Sequence, residues 1–171
     1  MGDIESNYDK YLTEEAAYNQ TRRLREHLAD DRFETLYKSE EGYGNLIKKF
    51  RSHSLMFTSF SLYILVDLDG KSISSFFSKL NNSLTEQYGN KVKVDPRNQI
   101  SNQDIVICDS KLEIAGTDNR DLPVIAFYDS LEDVTGINYS DSKSTKIQKI
   151  SEYIDNNPNI HKEIINTIHD A

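Results

Sequence analysis

The chain of 171 residues has one cysteine, three prolines and no tryptophan. It is therefore poor in residues that cross-link a fold or bend its backbone. A lone cysteine excludes an intrachain disulfide, so a hydrophobic core must hold the fold, and we expect a reducing compartment, the cytoplasm. Apolar runs stay well below the roughly 18 residues of a membrane-spanning helix. Positive charge is also scarce, because 20 basic residues stand against 28 acidic ones and give a net charge of −8. That balance argues against a protein whose whole surface binds nucleic acid.

Predicted strands and helices alternate along the chain. Hydrophobic residues make up 37% of it, enough for one domain over residues 1–171. The alternation is typical of the α/β class, so we predict a mainly parallel central sheet flanked by helices, with residues 62–66 in its middle. Residues 143–171 are predicted to form a C-terminal helical segment. The predicted strands are 8–13, 33–37, 57–66, 91–94, 105–108 and 124–128, and the predicted helices are 16–28, one starting at 46–50, 72–88, 143–154 and 160–168.

The clearest signal for function lies between residues 62 and 70. Five apolar residues lead into Asp67, Leu68, Asp69 and Gly70. Ligands of open α/β sheets bind outside the carboxyl ends of the strands, and two carboxylates at that place offer the oxygen ligands that Mg²⁺ requires. The alternative interpretation is an ordinary turn rich in Asp and Gly.

Two further apolar runs also end in an aspartate, at Asp109 and at Asp129. If their strands are parallel neighbours of the strand that leads into Asp67, the three carboxylates gather at one edge of the sheet. The alternative is that Asp109 and Asp129 cap the segments that follow them. Asp95 and Pro96 are expected to end the strand at 91–94, because a proline disturbs a strand ladder.

This layout resembles the Toprim family of topoisomerases, primases and overcoming-lysogenization-type nucleases over about residues 8–110. That family has a glutamate at the end of its first strand and a D-x-D at the end of its third, and here these are Glu14 and the pair Asp67 and Asp69. The resemblance implies that all three residues are catalytic and bind Mg²⁺ or Mn²⁺, with Glu14 as a third ligand or general acid/base. It implies cleavage of a nucleic-acid phosphodiester by metal-activated water. Small chains of this family often work beside an ATPase, so a protein partner of that kind is expected.

The same D-x-D-G sequence resembles the first motif of haloacid dehalogenase-like phosphatases. In that interpretation Asp67 is the phosphorylated nucleophile and Asp69 is the general acid. Residues 126–133 resemble the late acidic motif of that family. The resemblance further implies that Asp129 and Asp133 bind Mg²⁺. It also implies that Ser110 and Lys111 are the serine or threonine and the lysine of the site.

A local basic patch would bring phosphate groups to such a site despite the negative net charge. A Gly-Tyr-Gly-Asn sequence at 42–45 precedes Lys48, Lys49 and Arg51, an arrangement that can place backbone N–H groups near a phosphate. The alternative is a plain turn before a solvated helix face.

A third interpretation of the whole chain is a non-catalytic interaction module with a degenerate acidic site.

Overall fold

The computed structural model describes residues 42–53, 61–116 and 119–169, and its contacts divide the chain into two compact units, Met1–Phe60 and Ser61–Ala171. In the first unit, helix α1 (Tyr43–His53) contains the predicted basic helix and buries Ile47. The predicted elements at 8–13, 16–28 and 33–37 lie outside the described residues, as does Glu14. The single domain over residues 1–171 therefore stays a prediction.

The second unit has five strands and four α-helices in its described part. In chain order these are β1 (Ile64–Asp67), α2 (Ile73–Tyr88), β2 (Val92–Ser101), β3 (Ile105–Ile114), β4 (Arg120–Asp121), β5 (Val124–Phe127), α3 (Leu131–Thr135), α4 (Lys143–Asn156) and α5 (Pro158–His169). A single 3₁₀ turn, Gly89–Lys91, connects α2 to β2. The class is therefore α/β, as predicted, and the C-terminal helical segment is present.

The sheet is mixed rather than mainly parallel in the described part of the chain. Its strand order is β1-β5-β3-β2, with β4 pairing the end of β3. Only β1 and β5 run parallel, whereas β3 is antiparallel to β5, β2 and β4. Among these strands β1 therefore lies at one end of the order, although residues 62–66 were expected in the middle.

A short connection explains the difference between the predicted and the observed sheet. Only residues 102–104 separate β2 from β3, whereas a parallel pair requires a crossover of a dozen or more residues. The Asn102 side chain accepts hydrogen bonds from the N–H groups of Asp104 and Ile105, both at 2.8 Å, and so closes the turn of a hairpin. Strand β2 also continues to Ser101, so the expectation that Pro96 ends this strand is wrong.

Helix α2 and the C-terminal helices supply the core around the sheet. The Ser72 side chain caps α2 by accepting a hydrogen bond from the Ser75 N–H at 3.1 Å, and Gly89 ends the helix with a positive φ of 58°. Ile160 of α5 packs into a cluster with side chains of β3 and β5. No helix in the described ranges is long and apolar enough to cross a membrane. The predicted helix 72–88 is present as α2, and its buried face consists of Ile73, Phe76, Phe77, Leu80 and Leu84.

Candidate functional site at the acidic edge

The parallel pair of strands brings two acidic loops side by side. Asp67 at the end of β1 lies opposite Phe127 at the end of β5. Beyond the strands, the Leu68 N–H donates to the Phe127 carbonyl and the Gly70 N–H donates to the Tyr128 carbonyl, both at 2.8 Å. We call this place the acidic edge and define it by five residues: Asp67, Asp69, Asp129, Glu132 and Asp133.

Asp67 is the most enclosed carboxylate of the acidic edge. It is half-buried, and its Oδ1 accepts a hydrogen bond from the backbone N–H of Leu131 at 3.2 Å. Burial raises the pKa of the Asp67 carboxyl above its ordinary value, and the negative charges of Glu132, Asp69 and Asp133 raise it further, against the opposing effect of the Leu131 N–H. Asp67 is therefore a carboxylate in a strongly negative environment.

Asp69 lies in a different environment although only one residue separates it from Asp67. Leu68 between them is fully buried, whereas the Asp69 side chain is 62% exposed and lies 3.7 Å from the Lys71 ammonium. Asp69 and Gly70 have positive φ angles of 50° and 70°, a left-handed turn that Asp and Gly tolerate better than other residues. The turn keeps Asp69 near enough to influence the pKa of Asp67 while its own carboxylate meets solvent.

Asp133 is engaged in capping helix α3. The Ser130 hydroxyl accepts from the Asp133 N–H at 3.1 Å and Asp133 Oδ2 accepts from the Ser130 N–H at 3.4 Å, which forms a capping box. The Ser130 hydroxyl also donates to Asp133 Oδ2 at 2.7 Å. This cap holds the first turn of α3 in place, and the Leu131 N–H that contacts Asp67 belongs to that turn. Asp129, one residue before the cap, is exposed.

The structure places three other candidate residues away from the acidic edge. Strand β3 runs antiparallel to β5, and Cys108 lies opposite Val124 at the amino end of β5, so Asp109 follows at the opposite end of the sheet. The prediction that Asp109 gathers with Asp67 and Asp129 is therefore wrong. Ser110 is buried and donates to the Leu122 carbonyl, and Lys111 pairs with Asp121, so neither residue reaches the acidic edge.

The antiparallel direction of β3 brings Asp104 near the acidic edge instead. The Tyr128 N–H donates to the Asp104 carbonyl at 2.9 Å, and Asp104 Oδ2 accepts a hydrogen bond from the Tyr153 hydroxyl at 3.3 Å. Burial, together with the Asp104 charge and hydrogen bond, raises the pKa of Tyr153 to about 12. Sequence reasoning missed Asp104, and only the turn signal at Asn102 would have shown that β3 reverses direction here.

The donor atoms of the acidic edge suit a hard cation, although no cage is formed. No group of three or more His, Cys, Asp or Glu side chains in the described part of the chain is arranged to hold a metal ion. Mg²⁺ does not need such a cage, because it is commonly bound by one or two carboxylates together with water and substrate phosphate. Asp67 and its exposed neighbour Asp69, whose charge acts on Asp67, provide carboxylates of that kind.

Comparison with protein families, with curated proteins and with solved structures finds no match to this chain.

The raised pKa of Asp67 predicts a pH-dependent stability. At pH values between the ordinary pKa of 3.8 and the raised pKa of Asp67, the folded state binds more protons than the unfolded chain. The free energy of unfolding therefore falls as pH rises through this window, and it does not recover at higher pH. Asp67→Asn removes the charge and keeps an oxygen for the Leu131 N–H. We expect this variant to have a higher Tm than the wild type at about pH 7 and the same Tm at about pH 3.

Differential scanning calorimetry at the two pH values measures this effect. Asp109→Asn is the matched control, because Asp109 is exposed at the opposite end of the sheet, and its Tm should equal that of the wild type at both values. A lower Tm of Asp67→Asn at about pH 7 would mean that the Asp67 charge stabilises the fold.

Proposed function

We propose that the acidic edge is a Mg²⁺-dependent site of phosphate-ester hydrolysis in which Asp67 is the reacting carboxylate. The observation that supports this most is the position of Asp67, half-buried at the carboxyl end of β1 beside the parallel strand β5 and fixed by the Leu131 N–H. Ligands of α/β sheets bind at this kind of position. A capping role alone would not require Glu132, Asp69 and Asp133 to crowd their charges around it.

Asp67 and Asp69 have separate roles in the proposed reaction. With Oδ1 held by the Leu131 N–H, Oδ2 of Asp67 attacks phosphorus and the bond to the leaving oxygen breaks. The leaving oxygen takes a proton from solvent water. The exposed Asp69 carboxylate then takes a proton from the water that hydrolyses the acyl phosphate and returns it to solvent. Inorganic phosphate leaves and Asp67 is restored. Bound Mg²⁺ would neutralise charge on the phosphate and on the carboxylates around it.

The phosphodiester-cleaving, Toprim-like interpretation is the second candidate. It uses the same Asp67 and Asp69, adds Glu14, and makes metal-activated water the nucleophile, so no covalent intermediate forms. The D-x-D-G turn favours both candidates equally. The exposed Asp129, which follows the strand paired with β1, supports the phosphatase-like candidate, whereas Asp133 is engaged in the capping box of α3.

Two variants separate these candidates. The protein is incubated with Mg²⁺ or Mn²⁺ and either a small phosphomonoester or single-stranded DNA. For the phosphatase-like candidate, Asp129→Asn should lower phosphate release by about tenfold or more, and Glu14→Gln should leave it unchanged. For the nuclease candidate, Glu14→Gln should abolish DNA cleavage and Asp129→Asn should have little effect.

Beryllofluoride provides an independent measurement, because it imitates a phosphoryl group on a carboxylate. ¹⁹F NMR should detect it bound to the wild-type chain and absent from Asp67→Asn only for the phosphatase-like candidate. If neither substrate is hydrolysed and no beryllofluoride binds, the proposal fails and a non-catalytic interaction module becomes the better account of the acidic edge.

A further inference from the structure

The side chain of Asn81 on helix α2 pairs with the backbone of strand β2. Asn81 Oδ1 accepts a hydrogen bond from the Val94 N–H at 2.7 Å, and Asn81 Nδ2 donates to the Val94 carbonyl at 2.8 Å. Val94 lies opposite Leu112 in the β2–β3 register. Because both backbone groups of Val94 bind Asn81, they point away from β3 and toward the outer edge of the sheet. The amide of Asn81 therefore occupies the position that the peptide group of a neighbouring strand would take.

Beyond Val94, the outer edge of β2 carries other features that disfavour pairing. Among the described strands, β2 lies at the end of the sheet order. Pro96, two residues beyond Val94, has the same orientation and no N–H to offer. The register then shifts between Pro96 and Gln99, and the exposed side chains of Lys93 and Arg97 add charge. Prolines, bulges and charges are the features by which native edge strands avoid pairing with other chains.

We propose that Asn81 keeps the outer edge of β2 closed to strand addition by a second copy of this chain. A side-chain amide that accepts from an N–H and donates to a carbonyl saturates both backbone groups of Val94, which stands just before the part of the edge that Pro96 and the register shift close. Without it, that N–H and carbonyl become available to the antiparallel β2 of another copy. The resulting contact would be two-fold symmetric, because each copy presents the same edge.

Hydrogen exchange and sedimentation equilibrium test the proposal on the full chain. In dilute solution, Asn81→Ala should raise the exchange rate of the Val94 amide hydrogen by about tenfold, since one hydrogen bond is lost. As the concentration rises, the average mass of the variant should increase above that of the wild type, and the Val94 amide should become protected again. Renewed protection of this particular amide assigns the association to the β2 edge.

Three further variants make the outcome decisive. Asn82→Ala changes the exposed neighbouring asparagine of α2 and should match the wild type in both measurements. Asn81→Asp keeps an acceptor for the Val94 N–H, so its Val94 amide should stay protected. Asn81→Ser, whose side chain is too short to reach Val94, should behave as Asn81→Ala does and replaces it if the alanine variant does not fold. A folded alanine or serine variant with the wild-type mass at every concentration overturns the proposal, as does rapid Val94 exchange in the wild type.

Discussion

Replacing Asp67 by asparagine should abolish Mg²⁺-dependent phosphate-ester hydrolysis, with a loss of about 10³-fold or more in kcat. The amide oxygen can still accept the Leu131 N–H, so the loop geometry around α3 is retained. The amide is, however, a poor nucleophile and a poor cation ligand, so the reaction loses both functions of the carboxylate. Steady-state hydrolysis of a small phosphomonoester with saturating Mg²⁺ measures the effect, and circular dichroism confirms that the variant is folded.

Asp109→Asn is the control for this prediction, because it makes the same chemical change at the opposite end of the sheet. Its kcat should stay within about twofold of the wild-type value. Two results would contradict the assignment of Asp67: hydrolysis that survives in Asp67→Asn, or an equal loss in both variants. The second result would point to a general effect of charge rather than to a reacting carboxylate.

Local sequence patterns predicted the parts of the fold where a pattern of apolar and polar residues is compatible with only one type of secondary structure. Apolar residues at helical spacing predicted α2, and in the structure Ser72 and Gly89 cap its two ends. The apolar run before Asp67 identified β1. The buried face of α2 follows the order of its apolar and polar residues. In β1, by contrast, Leu65 of the apolar run is 48% exposed, because among the described strands β1 lies at one end of the order.

The direction of β3 could not be read in the same way. A run of four apolar residues at 105–108 is equally apolar in a parallel and an antiparallel strand. The length of the connection between two strands decides whether they run parallel or antiparallel. The hairpin turn that Asn102 closes has only the three polar residues 102–104 as its signal in the sequence. The placement of Asp109 was wrong for this reason alone. Pro96 misled the strand prediction similarly, since a missing N–H matters only where the ladder needs one, and the orientation of Val94 shows that Pro96 faces the outer edge.

At the acidic edge, the sequence predicted which residues follow the strands but not how each is engaged. Asp67 and Asp69 look equivalent in a D-x-D sequence, whereas the left-handed turn at Asp69 and the burial of Leu68 give them different exposure. The capping box of Ser130 and Asp133 was readable as an S-x-x-D sequence. The Asp67–Leu131 contact joins residues 64 positions apart, and no local pattern encodes such a contact.

Leu68→Ala should destabilise the fold by about 2–5 kcal/mol and disturb the acidic edge as well. Leu68 is fully buried, so its truncation removes apolar burial and leaves a cavity that neighbouring side chains fill only in part. The buried side chain also holds the backbone between Asp67 and Asp69 in place, next to the point where the Leu68 backbone N–H donates to the Phe127 carbonyl at 2.8 Å. If the acidic edge hydrolyses phosphate esters, kcat should therefore fall in the fraction that remains folded. Urea unfolding gives the free energy, and activity is measured well below the unfolding midpoint.

Leu65→Ala in β1, three residues before Leu68, is the matched control, because the Leu65 side chain is 48% exposed. It loses the same atoms from a position that water already reaches, so the expected destabilisation is below about 1 kcal/mol. Equal destabilisation by the two substitutions would contradict the burial difference within β1 and the turn after it. A destabilised Leu68→Ala with unchanged kcat would show instead that Asp67 and Asp69 are positioned independently of Leu68, by the backbone contacts to β5 and by the Leu131 N–H.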